Sequence, residues 1–570
     1  RARRLATQDI IRLEEYWQSH PEGTLADLTS EAVTGELAPV SLRYQDAYAY
    51  KATFLALIAM EADHDRKLKE SQSEIVQARF EFGLNKKRVA VFTLATSELE
   101  VRVVPGDELK LSTVGGEWND KGTVVRLSSA EEVVLELASA KSPPAGETRF
   151  KLEFIFKSTP FMRMKTALSA FATDEASVAG VIYHRLLGHD VKTMALAAVL
   201  PDDLSAPGLP PLNESQVAAV RSALTAPLSL IQGPPGTGKT VTSATLVYHL
   251  VRSAPSSGHD QVLVTAPSNV AVDQLAEKIH ATGLRVVRLT AFSRESVDTP
   301  VDFLTLHYQV NHLQTPNKSQ LAKLAALKER VGSLSQGDEK KLRSLTLAAE
   351  REVLDAADVI CCTCIGAGDP RLMRRRFKRV LIDEVSQATE PECLVPIVKG
   401  ARQVILVGDQ HQLGPVIKSA PASNAGLSVS LFQRLVCLGH RPVRLQTQYR
   451  MHPSISAFPS NTFYEGTLLN SYQPAENALA SAAEFPWVDA KRPTFFLHTA
   501  SREELSASGS SYLNTTEAQA VEEIVTSLFR TGVSPGQVGV ITAYAGQRAY
   551  LLSYLQRNGE LRPELYADVE

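Results

Sequence analysis

The segment from residue 233 to residue 240, GPPGTGKT, fits the phosphate-loop pattern G-x-x-x-x-G-K-[ST]. It follows the apolar run LSLI and precedes the helical pattern VTSATLVYHLV, which is the expected context. Its glycines let backbone N–H groups face phosphate oxygens, while Lys239 adds a positive charge and Thr240 a hydroxyl for Mg2+. The loop therefore predicts an ATP site formed by Gly233, Pro234, Pro235, Gly236, Thr237, Gly238, Lys239 and Thr240.

A pair of acids follows the apolar run VLI at residues 383 and 384. Phosphoryl transfer needs one carboxylate near the magnesium ion and one group that orients the attacking water. We assign the first role to Asp383, together with Thr240, and the second role to Glu384. The position of both acids after a strand strengthens the prediction.

Three further segments supply polar groups suited to a nucleotide. In GDQHQLGP, Asp409 and Gln412 are predicted to sense the γ-phosphate, the alternative being a polar turn. In QTQYRMHP, Arg450 is predicted to complete the charge on the γ-phosphate and Tyr449 to stack on the base, although a loop arginine is also a common surface salt-bridge partner. In LNESQ, Gln216 has the donor and acceptor that suit the adenine edge, and no guanine-reading N-K-x-D sequence occurs, which favours ATP.

The elements that position these residues alternate along the chain. From residue 212, apolar runs ending in Gly, Asp or Ser are followed by helical patterns, as in LSLIQG, VLVTAPS, DVICCTC, RVLIDE and QVILVGD. This pattern predicts a parallel sheet covered on both faces, which binds ligands at the carboxyl ends of its strands. Two amphipathic helices between 296 and 357 predict a helical insertion, and a second α/β unit begins near 445 with strands at PTFFLHT and VGVITAY and a helix over 515–530.

The first part of the chain has a different sequence pattern. Residues 1–75 have helical periodicity, residues 77–157 contain five short β-type runs, and residues 160–190 are helical again. Several short strands at such close intervals predict a small antiparallel barrel. We therefore expect the barrel to be inserted between two helical segments and these segments to form a stalk.

Composition restricts the possible functions only loosely. The net charge of −3 gives no support for bulk attraction to nucleic acid, and the run RRR at 374–376 is interpreted as a solvated loop. The five cysteines, three of them in CCTC, fit no zinc pattern, so we predict reduced thiols in a reducing compartment. No apolar run reaches the roughly 18 residues of a membrane span. Because the chain starts at Arg1, we expect it to be part of a longer protein.

In order along the chain, these motifs resemble those of superfamily 1 helicases. Within that superfamily, LIDEVSQATEPECLVP, GDQHQLGPVI and QYRMHPSISAFPSNTFYEG are similar to the RNA helicases of nonsense-mediated mRNA decay, and LRYQDAYAYKATF, GLNKKRVAVFTL and IYHRLLGHD to their stalk and barrel. The resemblance implies an α/β fold with two RecA-like P-loop domains, the second incomplete, and a small β-barrel on a helical stalk. The implied domains are 1–75 (stalk, first part), 76–157 (barrel), 158–195 (stalk, second part), 196–443 (first RecA-like domain with the insertion at 296–357) and 444–570 (second RecA-like domain).

By the same resemblance, ATP hydrolysis drives 5′-to-3′ movement on single-stranded RNA or DNA, which unwinds duplexes and remodels RNA–protein complexes. The implied contacts to the strand are Ser268, Asn269, Thr363 and Gly366 in the first RecA-like domain and Thr542 and Tyr544 in the second. For the pair at 268 and 269 an ordinary helix N-cap is the alternative, and both roles are compatible.

The resemblance also implies cofactors, partners and a location. We expect ATP and Mg2+ as cofactors and no zinc in this segment, because the family's zinc-binding domain would precede residue 1. The expected partners are other nonsense-mediated-decay factors and translation release factors, with no membrane, for a monomer in the cytoplasm and partly the nucleus. The family's later Gln-Gly-x-Glu and arginine-bearing motifs do not occur here. A sibling helicase acting on DNA or other RNA, and an ATP-gated RNA clamp, remain the alternatives.

Overall fold

The computed structural model describes most of the chain. The described residues are 38–71, 73–82, 88–93, 103, 105–127, 132–139, 148–192, 195–196, 200–253, 260–295, 297, 299–313, 323–324, 326–327, 335–471, 485–489, 494–506, 511–567 and 569. The helical pattern predicted at 10–17 and most of the one predicted at 319–334 lie outside these residues. The chain divides into two compact units, residues 1–67 with 157–447 and residues 68–156 with 448–570.

Six antiparallel strands close into a barrel in the order β1-β2-β5-β4-β3-β6. Along β5, Val133, Leu135 and Leu137 are buried and alternate with more exposed residues, because successive side chains of a strand point to opposite faces. The predicted barrel is confirmed, but its first strand, SEIVQARFEF, was missed, and it starts at residue 73 rather than 76. The strands are β1 (Ser73–Phe82), β2 (Arg88–Thr93), β3 (Glu108–Thr113), β4 (Asn119–Leu127), β5 (Glu132–Leu137) and β6 (Arg149–Phe154).

The predicted parallel sheet is present, with seven strands in the order β13-β7-β12-β11-β8-β10-β9. Every residue of β12 is buried, because helices cover both faces. Ile405 and Val407 pack on one face with α4, α5 and α6, while Val404 and Leu406 belong to the apolar cluster of the other face. The strands are β7 (Leu228–Gln232), β8 (Val262–Ala266), β9 (Val286–Arg288), β10 (Val359–Thr363), β11 (Arg379–Ile382), β12 (Gln403–Gly408) and β13 (Val443–Arg444).

The helices of this unit include the stalk and part of the predicted insertion. The stalk helices α1, α2 and α3 contribute to the apolar cluster that contains Val404 and Leu406. In the insertion, α8 is capped by Ser335, whose hydroxyl accepts from the backbone N–H of Asp338. The helices are α1 (Ala47–Ser71), α2 (Thr159–Thr173), α3 (Gly180–Leu186), α4 (Glu214–Thr225), α5 (Lys239–Arg252), α6 (Asn269–Ala281), α7 (Leu306–His312), α8 (Gln336–Ala356), α9 (Glu390–Ile397) and α10 (Leu431–Cys437), besides a short turn at Ala420–Ala422.

A buried ion pair joins the stalk to the sheet-covering helices. Arg434 and Glu390 are both fully buried, and the arginine Nε donates to the glutamate Oε2 over 2.8 Å. The Tyr50 hydroxyl donates to Glu390 Oε1 over 2.8 Å. Arg434 also donates to the backbone oxygens of Leu42 (2.8 Å) and Leu186 (2.6 Å). The polar groups of this cluster, the Arg434 cluster, are therefore paired with one another and with both halves of the stalk.

Residues 448–570 contain helices but fewer strands than predicted. The helix expected at 515–530 is present. The strands predicted at PTFFLHT and VGVITAY are not formed among the described residues, a correction to the sequence-based reading. A strand needs a neighbour for its backbone groups. Phe496 and Ile541 are 90% and 99% exposed, so no sheet among the described residues covers them. The elements are β14 (Thr447–Gln448), β15 (Leu469–Asn470), β16 (Glu504–Leu505), β17 (Tyr512–Leu513), α11 (Pro453–Phe463), α12 (Thr515–Arg530), α13 (Ala545–Asn558) and α14 (Pro563–Ala567).

Candidate nucleotide site and nucleic-acid rim

The predicted nucleotide residues meet at one edge of the parallel sheet. Strands β7, β12 and β11 are neighbours, and their carboxyl ends lead to the phosphate loop, to Asp409 and to the acid pair at 383 and 384. The backbone N–H of Gly233 donates to the Gly408 carbonyl over 2.9 Å, which joins the phosphate loop to the end of β12. The strand order therefore assembles groups that are about 150 to 180 residues apart in the chain.

The phosphate loop has the backbone that its glycines permit. Gly236 and Gly238 have φ angles of 74° and 79°, a left-handed conformation that disfavours other residues. The Lys239 ammonium donates to the Gly233 carbonyl over 2.9 Å. A Cβ atom on Gly233 would lie only 2.0 Å from Lys239 Cγ, so this glycine is required for close approach. The loop and the start of α5 thus form a cradle of the kind that holds phosphate groups.

Gln216 supports this loop from α4. Its side-chain Nε2 donates to the Thr237 carbonyl over 3.1 Å, and its Oε1 accepts from the Asn213 backbone N–H over 3.0 Å. Gln216 is 4% exposed, and a Cβ on Gly238 would lie 2.7 Å from its Nε2. Besides these bonds, Nε2 can donate one more hydrogen bond and Oε1 can accept one more. Recognition of adenine by Gln216 stays a prediction, and a supporting role for the phosphate loop is added.

The acid pair has the electrostatics of a cation site. Asp383 is 3% exposed, and burial, together with the charge of Glu384, raises its pKa to about 7 against the opposing effect of Lys239. A buried carboxylate with a raised pKa gains from a nearby cation, and the Thr240 hydroxyl and the Asp383 carboxylate are the oxygen donors that Mg2+ prefers. The donor set therefore fits a magnesium ion.

Glu384 is held in a strained and polar setting. Its φ angle is 49°, a left-handed conformation uncommon for a residue with a side chain, and such strain clusters at functional sites. Its carboxylate lies 3.5 Å from the Lys239 ammonium and accepts a hydrogen bond from Gln387 over 3.2 Å. The side chain is 24% exposed, so that water reaches it.

Gln412 connects the phosphate loop with a buried acid. Its Nε2 donates to Asp409 Oδ2 over 2.7 Å and to the Gly233 carbonyl over 3.3 Å. Asp409 is fully buried and also accepts from Gln232 over 3.2 Å. The carboxylate of Asp409 is therefore enclosed and fixes the side chain of Gln412, while contact of Asp409 with the γ-phosphate stays a prediction. Gln232 and its partner Arg444, 2.9 Å away, were not singled out from the sequence.

The two loops of the first α/β unit that are predicted to contact the nucleic acid lie side by side. Strands β8 and β10 are neighbours, and the Cys364 backbone N–H donates to the Ala266 carbonyl over 3.0 Å. The Ser268 hydroxyl caps α6 by accepting from the Ala271 N–H, which confirms the N-cap alternative. After β10, the Gly366 N–H donates to the Thr363 hydroxyl over 3.0 Å. These loops form a rim, the grip rim, made of residues 266–269 and 363–368.

One residue of the grip rim depends on a buried arginine. Asn269 Oδ1 accepts from Arg288, which is 1% exposed and also donates to Asp273 over 2.6 Å. Nothing in the local sequence around Arg288 indicated this contact, because its partners precede it by 15 and 19 residues in the chain. The Asn269 side chain is thus oriented from within the domain.

Four predicted site residues belong to the other compact unit. Tyr449 and Tyr544 expose 45% and 53% of their surface, and the Thr542 hydroxyl accepts from the Tyr544 N–H over 3.3 Å. Arg450 is exposed. Their assignments to the nucleotide and the nucleic acid stay predictions.

The remaining sequence interpretations concern thiols, charges and metals. All five cysteines are free, and burial raises the pKa of Cys362 to about 12, as expected for inert buried thiols. In the basic run, Arg375 pairs with Asp355 and Arg376 with Asp174, so both have ordinary ion-pair partners. Within the described residues, no cluster of three or more His, Cys, Asp or Glu side chains is arranged to hold a metal, and no helix is long and apolar enough to cross a membrane.

A covered parallel sheet with a phosphate loop, an acid pair and a glutamine at one edge defines a P-loop α/β protein. Comparison with family models agrees. A model described as "RNA helicase UPF1, 1B domain" matches residues 71–155, which contain the barrel. One model described as "AAA domain" matches residues 211–334 and 314–420, and another matches residues 427–569.

Curated relatives narrow the class. "Regulator of nonsense transcripts 1 homolog" of Arabidopsis thaliana is 54% identical over 100% of this chain and 46% of the relative. The Drosophila melanogaster protein of the same description is 51% identical (100% and 49%), and "ATP-dependent helicase upf1" of Schizosaccharomyces pombe is 50% identical (99% and 62%). The chain belongs to this family, the regulators of nonsense transcripts 1. It spans roughly half the length of these relatives.

Proposed function

We propose that this chain is the motor region of an ATP-dependent RNA helicase that moves 5′ to 3′ on single-stranded RNA, and also on DNA. In this proposal it unwinds duplexes and remodels RNA–protein complexes in nonsense-mediated mRNA decay. The observation that carries the proposal is the arrangement of one sheet edge. The nucleotide groups follow β7, β12 and β11, and the grip rim follows the next two strands, β8 and β10.

The nucleotide half of the edge supplies the chemistry of ATP hydrolysis. Lys239 and the phosphate-loop amides bind the phosphates, and Glu384 orients the attacking water. A magnesium ion, held by Thr240 and Asp383, would neutralise the charge that develops on the phosphate oxygens. Gln412 lies 3.3 Å from the phosphate-loop carbonyl of Gly233, which suits it to respond to the γ-phosphate.

The same edge offers a direct route from nucleotide to nucleic acid. The Asp383 backbone N–H donates to the Thr265 carbonyl over 2.8 Å, so the acid strand is tied to the strand that leads to Ser268. We expect a shift of the acid pair on hydrolysis to be transmitted through this contact to the neighbouring grip rim. Small hydroxyl, amide and backbone groups at the rim suit phosphate and sugar contacts, which grip any sequence.

The proposal is tested with the full-length protein and duplexes that carry a single-stranded overhang. We expect RNA-stimulated ATP hydrolysis and displacement only from a 5′ overhang, and we expect Lys239→Ala to abolish both. ATP-dependent RNA binding without displacement would instead identify an ATP-gated clamp. Stimulation by DNA alone would identify a sibling helicase with another substrate. Decay of a reporter mRNA with a premature stop codon, rescued by the wild type and not by Lys239→Ala, tests the pathway.

Tyr449 gives a second prediction for the nucleotide site. Loss of its ring in Tyr449→Ala is expected to weaken ATP binding roughly tenfold, since base–aromatic stacking is worth ~1–3 kcal/mol. The matched control Tyr449→Phe keeps the ring and is expected to bind like the wild type. A binding titration with a fluorescent ATP analogue measures both. Equal affinity of Tyr449→Ala and wild type would remove Tyr449 from the site, and Arg450, next to it, would lose support.

The remaining assignments are part of the same proposal. We assign ATP and Mg2+ as cofactors, RNA contacts to Thr542 and Tyr544 besides the grip rim, and nonsense-mediated-decay factors and translation release factors as partners of a monomer. The names of the relatives support the pathway. A mainly cytoplasmic location agrees with five free cysteines, which persist in reducing compartments.

A further inference from the structure

A stalk arginine contacts the grip rim directly. Arg163, in the first turns of α2, donates through Nη1 to the Ile365 carbonyl over 3.1 Å. Its Nη2 lies 3.3 Å from Asp369 Oδ2, at the end of the loop that follows β10. The arginine stem also covers Gly368, where an added Cβ would lie 2.9 Å from Arg163 Cδ. The Arg163 side chain therefore contacts Ile365, Gly368 and Asp369.

The second carboxylate oxygen of Asp369 is bonded by an arginine of the α/β unit itself. Arg371 Nε donates to Asp369 Oδ1 over 2.9 Å, and its Nη2 donates to the Thr290 carbonyl over 2.6 Å. The side chains of Asp369 and Arg371 are only 7% and 5% exposed. Asp369 is thus shared between two arginines, one from the stalk and one from its own loop. If Arg163 is lost, the Ile365 carbonyl loses this side-chain donor and Asp369 loses its ion pair with the stalk.

We infer that Arg163 is a positioning residue for the grip rim, which holds the loop 363–368 in the conformation that binds the nucleic-acid backbone. This inference rests on the proposed function and deepens it, because it adds a stalk residue to the RNA site. Thr363 and Gly366 are hydrogen-bonded to each other at the start of that loop, and Arg163 contacts Ile365, which lies between them, and Asp369, which follows the loop. The stalk is then part of the grip.

Arg163 acts through the loop and not through an RNA phosphate of its own. Its side chain is 19% exposed, and its two terminal nitrogens are engaged by a carbonyl and a carboxylate. The carboxylate of Asp369 also compensates its charge. The planar fork of the guanidinium is well suited to bridge two fixed acceptors, and we expect this bridging role and not a phosphate contact.

The test uses the full-length protein with Arg163→Gln, Arg163→Lys and the control Arg376→Gln. Arg376 pairs with Asp174 at the other end of α2, so the control removes the same charge and a contact of the same helix away from the rim. For Arg163→Gln we expect roughly tenfold weaker binding of single-stranded RNA, a typical coupling magnitude. We expect partial recovery with lysine and no change in the control. ATP affinity and ATP turnover without RNA should match the wild type.

Two further readouts separate positioning from the alternatives. The RNA concentration for half-maximal stimulation of ATP turnover should rise in Arg163→Gln, while turnover at saturating RNA stays at the wild-type level. A general structural role would instead lower the thermal midpoint and the turnover without RNA, and that result would overturn the inference. The slope of log affinity against log salt should not change, whereas a fall of about one would show a direct phosphate contact and also overturn it.

Failure of the inference and failure of the proposed function are distinguishable. If the wild type binds RNA and Arg163→Gln binds it equally well, only the inference fails. If the wild type itself neither binds single-stranded RNA nor responds to it, the proposed function fails first.

Discussion

Glu384→Gln is expected to lower ATP turnover by about 100- to 10,000-fold, the range that a positioned general base contributes. The substitution keeps the size of the side chain and removes its charge, so the attacking water loses its acceptor. ATP should still bind, because Lys239 and the phosphate-loop amides contact the phosphates and the Glu384 carboxylate is not needed for these contacts. The 3.5 Å ion pair between Glu384 and Lys239 is lost, which leaves the ammonium free for the phosphates.

The measurement is steady-state turnover and ATP affinity of the full-length protein with and without single-stranded RNA. Glu277→Gln, on the exposed side of α6, is the matched control for the loss of one negative charge and should turn over like the wild type. Retained turnover in Glu384→Gln would contradict the assigned role and point to another group that orients the water. Loss of ATP binding would mean that Glu384 holds the nucleotide and does not act on the water.

Arg434→Met is expected to destabilise the unit that contains the parallel sheet by about 3–5 kcal/mol, the cost of breaking a buried ion pair by removing one partner. Glu390 would remain fully buried without its guanidinium, and the carbonyls of Leu42 and Leu186 would lose their donors. Tyr50→Phe removes only one hydroxyl from the same cluster and should cost about 1.5–3 kcal/mol, as for a hydrogen bond to a charged group. It covers the case in which Arg434→Met does not fold.

Thermal and urea unfolding of the full-length protein measure both variants. The control is Arg376→Met, which breaks the ion pair with Asp174. The two side chains are 56% and 40% exposed, so the free energy of unfolding should fall by at most ~1 kcal/mol. The double variant Arg434→Met with Glu390→Met replaces both charges by apolar groups and should recover much of the loss. Equal midpoints for Arg434→Met, Tyr50→Phe and the control would contradict a stabilising role of the Arg434 cluster.

The placement of the phosphate loop and the acid pair at strand ends was predictable because their signals are local. The phosphate loop is eight contiguous residues, the acid pair follows an apolar strand directly, and Gln412 lies four residues after the end of β12. The covered parallel sheet followed from the same runs, since strands buried on both faces are apolar throughout. Five of the six barrel strands followed from their spacing in the same way.

The remaining features depend on contacts that leave no local pattern. Nothing near Asp409 in the sequence indicates that its carboxylate is enclosed by Gln232, which is 177 residues away in the chain. Arg163 looks like an ordinary basic residue of an amphipathic helix, although its partners lie 202 and 206 residues further on. The strands predicted at 493–499 and 538–544 are wrong because β propensity forms a strand only where a neighbouring strand offers its backbone groups.

The Arg434 cluster has a consequence for the order in which the protein is made. The Leu42 carbonyl accepts its hydrogen bond from Arg434, which is 392 residues downstream in the chain. At typical synthesis rates the ribosome needs roughly 20 to 80 s to cover that distance. During this interval the first stalk helix has left the ribosome while its buried partner Glu390 and the guanidinium of Arg434 have not. In a nascent chain, the Tyr50 hydroxyl and the Leu42 carbonyl are therefore without these buried partners until residues 390 and 434 have been made.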